Sequence, residues 1–269
     1  LISGGCLNSQ TKPFHEYFDL NQVHLVGVVQ RAWAYGPDVL VRLALDGAAS
    51  DPTNTVTLCL TGGCVGGEPL TLLKDDHISA SGYLVDSPYL ESGSQFAERS
   101  LADLLQAVPG LEEVSTERVA THLVVEALQI IPEPTPKPLN EVTVEGIVSR
   151  IWARGSHQFV RLAVYDAHTP ADGRVGKNGR PYRRAHYVSV HFIDGMVNGR
   201  HVRLEKKERL RVHGRLSERR YRESLAMFLL RAGQIGLLAN VPNADDVRET
   251  RVPRSATYII ANAMIQFAR

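Results

Sequence analysis

The chain has 269 residues, 43% of them hydrophobic and 22% charged, with a net charge of +1. That is enough for one large or two small cores, but no apolar run reaches the roughly 18 residues of a membrane span, and the start lacks the basic-then-apolar pattern of a secretion leader. The net value hides an asymmetry: residues 1–139 hold 7 Lys/Arg against 17 Asp/Glu, and residues 140–269 hold 23 against 12. A basic second half points to a polyanionic partner. Three cysteines, Cys6, Cys59 and Cys64, form no CxxC pair and suit free thiols in a reducing compartment. The histidines fall into no metal-ligand spacing, so neither a metal nor another cofactor is expected.

Residues 1–20 read as an N-terminal extension. Asn21 then opens NQVHLVGVVQRAWAYGPDVLVRLA, and Asn140 opens NEVTVEGIVSRIWARGSHQFVRLA, with Arg31, Trp33, Arg42 and nine other positions recurring identically. Such self-similarity marks a tandem duplication. Each copy reads as an alternating strand, a turn at Gly36 or Gly155, and a second strand. The second copy has a longer next connection, DAHTPADGRVGKNGRPYRRA, read as a flexible cationic loop carrying Lys177, Arg180, Arg183 and Arg184. Third strands are expected at 55–60 and 187–192, and fourth strands at 77–84 and 209–216, where Gly82 and Gly214 coincide. Helical patterns follow at 98–108 and 222–232, then closing strands at 121–131 and 257–267. PEPTPKPL, residues 132–139, is a stiff Pro-rich linker. The expected fold class is all-β with short helical inserts, as two tandem five-stranded barrels: an acidic one over 21–131 and a basic one over 140–269. The oligonucleotide/oligosaccharide-binding (OB-fold) barrel is the leading candidate for such units.

At period two, the fourth strand of the second copy puts Leu210, Val212, Gly214 and Leu216 on one face and Arg209, Arg211, His213 and Arg215 on the other. Like charges along one face repel one another, which an anionic partner relieves; a solvated outer face is the alternative. On strand two the outward set is Phe159, Arg161 and Tyr165, and on strand three Tyr187, Ser189 and His191. Rings for bases thus interleave with cations for phosphates, the combination that single-strand binding needs. Arg209, Arg211, Arg215, Arg219 and Arg220 are candidate phosphate contacts, about half of which could equally be solvated. Trp152 repeats Trp33, and Arg161 repeats Arg42; packing explains those repeats as readily as binding does.

NEVTVEGIV, FVRLAV, LEKKERLRVHGRLSERRY and TYIIANAMIQF, in that order, make the second copy resemble the bacterial single-stranded DNA-binding protein family, and the repeat extends the likeness to residues 21–131. The resemblance implies a non-enzymatic protein that coats single-stranded DNA in replication, recombination and repair. It also implies a cytoplasmic, nucleoid-associated location and a homodimer presenting four barrels. Tyr187 and Tyr221 are similar in position to the family's base-stacking aromatics, and Tyr89 repeats Tyr221. Tyr221 lies among arginines, whereas Asp86 and Glu91 flank Tyr89, so the first copy is expected to contribute less to binding. Two departures stand out: Lys207 and Glu208 stand where the family commonly has a glycine-bearing turn, and the helical insert after strand four is larger than usual; the family's acidic, partner-recruiting tail is also not seen. The rival readings are an accessory primosome or recombination protein acting through protein contacts, and a single-stranded RNA binder. A nuclease would need clustered carboxylates, and Asp166, Asp172 and Asp194 are scattered.

Overall fold

A computed structural model describes residues 18–45, 54–100, 103–132, 139–168, 171–175 and 181–267. The principal strands of the first copy are β1 (Asn21–Tyr35), β2 (Asp38–Ala44), β3 (Thr55–Leu60), β4 (His77–Ser92) and β5 (Ser115–Ile130). Those of the second are β6 (Leu139–Arg154), β7 (His157–Val164), β8 (His186–Phe192), β9 (Arg209–Ser224) and β10 (Arg251–Gln266). In the first copy β1 pairs with β2, β2 with β3, β3 with β5 in parallel, β5 with β4, and β4 with β1. The second copy closes in the same order. Each half is therefore a closed five-stranded barrel of OB type, whose alternating Val and Leu side chains fill the interior.

The barrels are joined edge to edge. β1 pairs antiparallel with β6, and Val23 faces Val142, its own counterpart in the repeat. A pseudo-twofold axis passes through that pair and makes one ten-stranded sheet from the two halves. Asn21 and Asn140 recur for a shared reason. The side chain of Asn21 exchanges hydrogen bonds with the Leu84 backbone at 2.9 and 3.0 Å, and that of Asn140 does so with Leu216 at 2.9 and 2.8 Å.

The structure corrects three expectations of extent. The fourth strands do not stop at 84 and 216 but run on to Ser92 and Ser224, pairing with equally long closing strands to make two β-ribbons beyond the barrels. The first-copy helix is not one segment over 98–108 but two short ones, α1 (Gly93–Glu98) and α2 (Leu104–Ala107). Ser92 caps α1, and Ser224 caps α3 (Leu225–Arg231) at the corresponding place. Part of the basic insert is ordered as a short antiparallel pair, Ala171–Val175 with Pro181–Arg183.

The ribbon tips meet and form a second core, in which Phe96, Leu104 and Leu111 of the first copy pack against Leu225, Phe228 and Leu229 of the second. The Phe96 and Phe228 rings lie 4.7 Å apart. Beneath them is a buried ring of charges. Arg118 donates to Glu91 at 3.0 Å and to Glu223 at 2.5 and 3.1 Å, while Arg254 donates to Glu223 at 3.0 Å and to Glu91 at 2.7 and 2.9 Å. Arg99 and Arg231, again equivalents, flank the ring by pairing with Glu91 and Glu223. Burial alone would raise the Glu223 carboxyl, but hydrogen bonds from Arg118 and the surrounding arginine charges hold it below the usual range.

Candidate nucleic-acid interface

The outer face of the second barrel carries a stack of rings. Trp152 at the end of β6 lies 5.5 Å from Phe159 on β7, and Phe159 lies 4.4 Å from His191 on β8, each pair within 10° of parallel. Tyr258 and His157 meet His191 edge-on. Cross-strand register sets this up, since Phe159 pairs with both Trp152 and His191. Phe159 points outward yet is 8% exposed, because its neighbours cover it. Neither ring nitrogen of His191 has a hydrogen-bond partner, and burial, with His157 and Arg219 nearby, pushes its pKa below the ordinary value. The ring is thus neutral at neutral pH, an uncharged member of an aromatic cluster of the kind that single-strand binders use for stacking. In the first copy Leu40 pairs with Cys59 at the equivalent place, so no such stack forms.

Beside this platform Tyr187 is 37% exposed and lies under the Arg161 guanidinium, 5.1 Å from its ring centroid. Tyr165, just past the end of β7, is 39% exposed. Tyr187, Arg161 and Tyr221 share a hollow of about 400 Å³ with Trp33, which comes from the first barrel. Arg215, Arg220 and Arg184 are exposed, and Arg219 is half-buried near His191. Arg183 sits over Phe18 at 4.8 Å. Lys177 and Arg180 lie outside the described residues.

Two of the strand-four arginines are already occupied. Arg209 pairs with Asp19 and, at 2.8 Å, with Glu145; Arg211 donates to the other oxygen of Glu145 at 2.8 and 3.0 Å. Asp19 and Glu145 are both buried, so these arginines compensate internal carboxylates first. Burial keeps the Asp19 carboxyl above its ordinary value even though it accepts from the Tyr165 amide and faces Arg209. Arg42 is likewise engaged, with Glu218 of the second barrel at 2.5 Å and Thr57 at 2.9 Å.

The acidic surroundings attributed to Tyr89 also differ from expectation. Glu91 is fully buried in the charge ring. Asp86 meets His186 at 3.3 Å and accepts from the Tyr187 amide at 3.1 Å. Burial would raise the Asp86 carboxyl, but those hydrogen bonds hold it below the usual range. Both carboxylates are thus engaged, while Glu117 on the same ribbon is exposed. Sequence reasoning missed Tyr258 and His157 as parts of the platform, although His157 shares the outward parity of Phe159 on β7.

A cleft of about 800 Å³ lies between the barrels and the ribbons. Its wall includes pseudo-equivalent pairs: Tyr89 with Tyr221, Arg42 with Arg161, and Arg99 with Arg231.

No protein-family model and no curated protein sequence matches this chain. Among solved structures it is similar to a deletion mutant of the single-stranded DNA-binding protein from Thermus aquaticus, with 16% identity, a TM-score of 0.51, and coverage of 94% of this chain and 96% of that one. The wild-type Thermus aquaticus protein is similar at 16% identity and a TM-score of 0.49, over 94% of this chain and 95% of that one. At this identity the first likeness is one of fold, and it extends over both barrels rather than one.

Proposed function

We propose that this protein binds single-stranded DNA without sequence preference, in replication, recombination or repair, and that it does no chemistry on it. The observation that carries this is the Trp152, Phe159 and His191 stack with Tyr187 and Arg161 beside it: flat rings with a cation next to them, on the outer face of a barrel. The deletion mutant of similar fold is of a single-stranded DNA-binding protein, which agrees with this. The second barrel supplies the stacking, and two chains would assemble into a homodimer of four barrels.

Titration of poly(dT), duplex DNA and single-stranded RNA at two salt concentrations tests the reading. Poly(dT) should bind most tightly, with log K falling against log salt by about 0.7 per phosphate contact. Tight but salt-independent binding, or a preference for duplex, would overturn it. Tighter binding of RNA would move the assignment to the other nucleic acid.

A further inference from the structure

The cleft on the pseudo-twofold axis has features that neither barrel has alone. Eight arginines line it, against two glutamates at the wall. Five are matched by carboxylates: Arg42 by Glu218, Arg118 and Arg254 within the charge ring, and Arg99 and Arg231 at its edges. Arg31, Arg161 and Arg220 make no ion pair at contact distance among the described residues, though the Arg161 charge is near enough to help lower the Asp86 carboxyl. Arg31 lies over the Trp33 ring at 4.5 Å, and Arg220 is exposed.

Arg161 is the informative one. By the repeat, it should meet Asp86 as Arg42 meets Glu218. Asp86 has a side chain one methylene shorter, and it turns instead to His186 and the Tyr187 amide. The Arg161 Nε is left buried with no hydrogen-bond partner. That atom is closed to the cleft as it is to solvent, so what Arg161 offers an anion is the charge of its guanidinium at the cleft wall, which no ion pair matches among the described residues. The volume lies in the range of about 300–1,000 Å³ usual for ligand clefts. Tyr89 and Tyr221 face the same space from the two ribbons, and the exposed Glu117 beside Tyr89, where the second copy has Pro253, is the one carboxylate at this wall not held in an ion pair among the described residues.

We propose that this cleft holds the phosphodiester backbone of a single strand as it passes from one barrel to the other, so that both copies contribute to one continuous path. The proposal rests on the single-strand reading above. It revises the division of labour expected from composition, since Tyr89 and Arg31 of the acidic copy become binding residues.

The test measures poly(dT) affinity against salt for the full chain and for Arg31→Ala, Arg220→Ala, Tyr89→Ala, Tyr221→Ala and Tyr89→Phe, with the thermal transition of each as a folding control. Each arginine variant should lower the salt slope by about 0.7, the signature of one lost phosphate contact, which a purely structural role would not give. Tyr89→Ala and Tyr221→Ala should each weaken binding by roughly 5- to 100-fold, with Tyr89→Phe close to the parent. Should Tyr89→Ala not fold, the two arginine slopes decide alone. If the parent fails to bind poly(dT), the functional reading itself falls. If the parent binds while Arg31→Ala and Arg220→Ala keep its slope, or Tyr221→Ala loses affinity and folded Tyr89→Ala does not, the shared cleft is overturned and the second-barrel reading stands.

Discussion

Gly82 and Gly214 mark the bulges where each ribbon leaves its barrel. A Cβ on Gly82 would lie 1.9 Å from the Val124 carbonyl oxygen, and one on Gly214 would lie 2.2 Å from that of Ile260. Backbone, unlike a side-chain tip, cannot step aside, so Gly214→Ala should destabilise the fold by about 1–3 kcal/mol in urea denaturation. The recurrence of these glycines was legible in the sequence, as was the alternation of Arg209 to Leu216, because both are set by neighbours one strand away. The turn before strand four shows a limit of residue type as a guide. Lys207 adopts φ 73° and Asp75 φ 72°, the left-handed conformation that a glycine would take most readily. What the sequence did not reveal was occupancy. Arg209 finds Asp19 across 190 positions, and Arg254 finds Glu91 across 163, and nothing local marks an arginine as already partnered.

At the scale of elements, the ribbons were half read. Strand periodicity is a burial signal, and beyond Leu84 and Leu216 both faces of the ribbon are partly exposed, so the alternation fades although the pairing continues. Pro88 and Pro253 strengthen the impression of a break. The ribbons are held together by the tip core and by the charge ring below it. Glu223→Gln would leave Arg118 and Arg254 short of a buried counter-charge, and should cost about 3–5 kcal/mol by denaturation. The pH dependence has a definite sign. With the folded-state pKa of Glu223 below its unfolded value, its contribution is present above about pH 4.3 and is lost as pH falls through the folded value. Near-UV circular dichroism between pH 7 and 3 should therefore lose the packed Phe96 and Phe228 signal before or with global unfolding; persistence of that signal in a chain already unfolded by far-UV measurement would contradict it.

For the whole molecule, the duplication is also a symmetry. Val23 faces Val142, Phe96 faces Phe228, and Glu91 with Arg118 mirrors Glu223 with Arg254. One half presents a surface complementary to its own repeat, which is the condition for an isologous interface. Residues 139–269 expressed alone should thus form a dimer through the β6 edge around Val142, with Arg161 meeting Glu218 of the other copy. Sedimentation at micromolar concentration checks this, and a stable monomer would count against it. The repeat itself made two barrels legible. Their edge-to-edge union was not, because β1 and β6 would look the same in a chain whose barrels hung apart.

The β1–β6 union bears on how the chain is made. During synthesis the first barrel can close on its own strands and β6 follows closely to pair its β1 edge, yet its apolar tip stays uncovered until residues 225–252 have left the ribosome. Contacts such as Arg254 with Glu91 require closing very long loops, whose entropy is offset only once the second half is already ordered. Docking of the halves is therefore the late step of folding, and the interval before it is when a nascent chain is most exposed to pairing with the wrong copy.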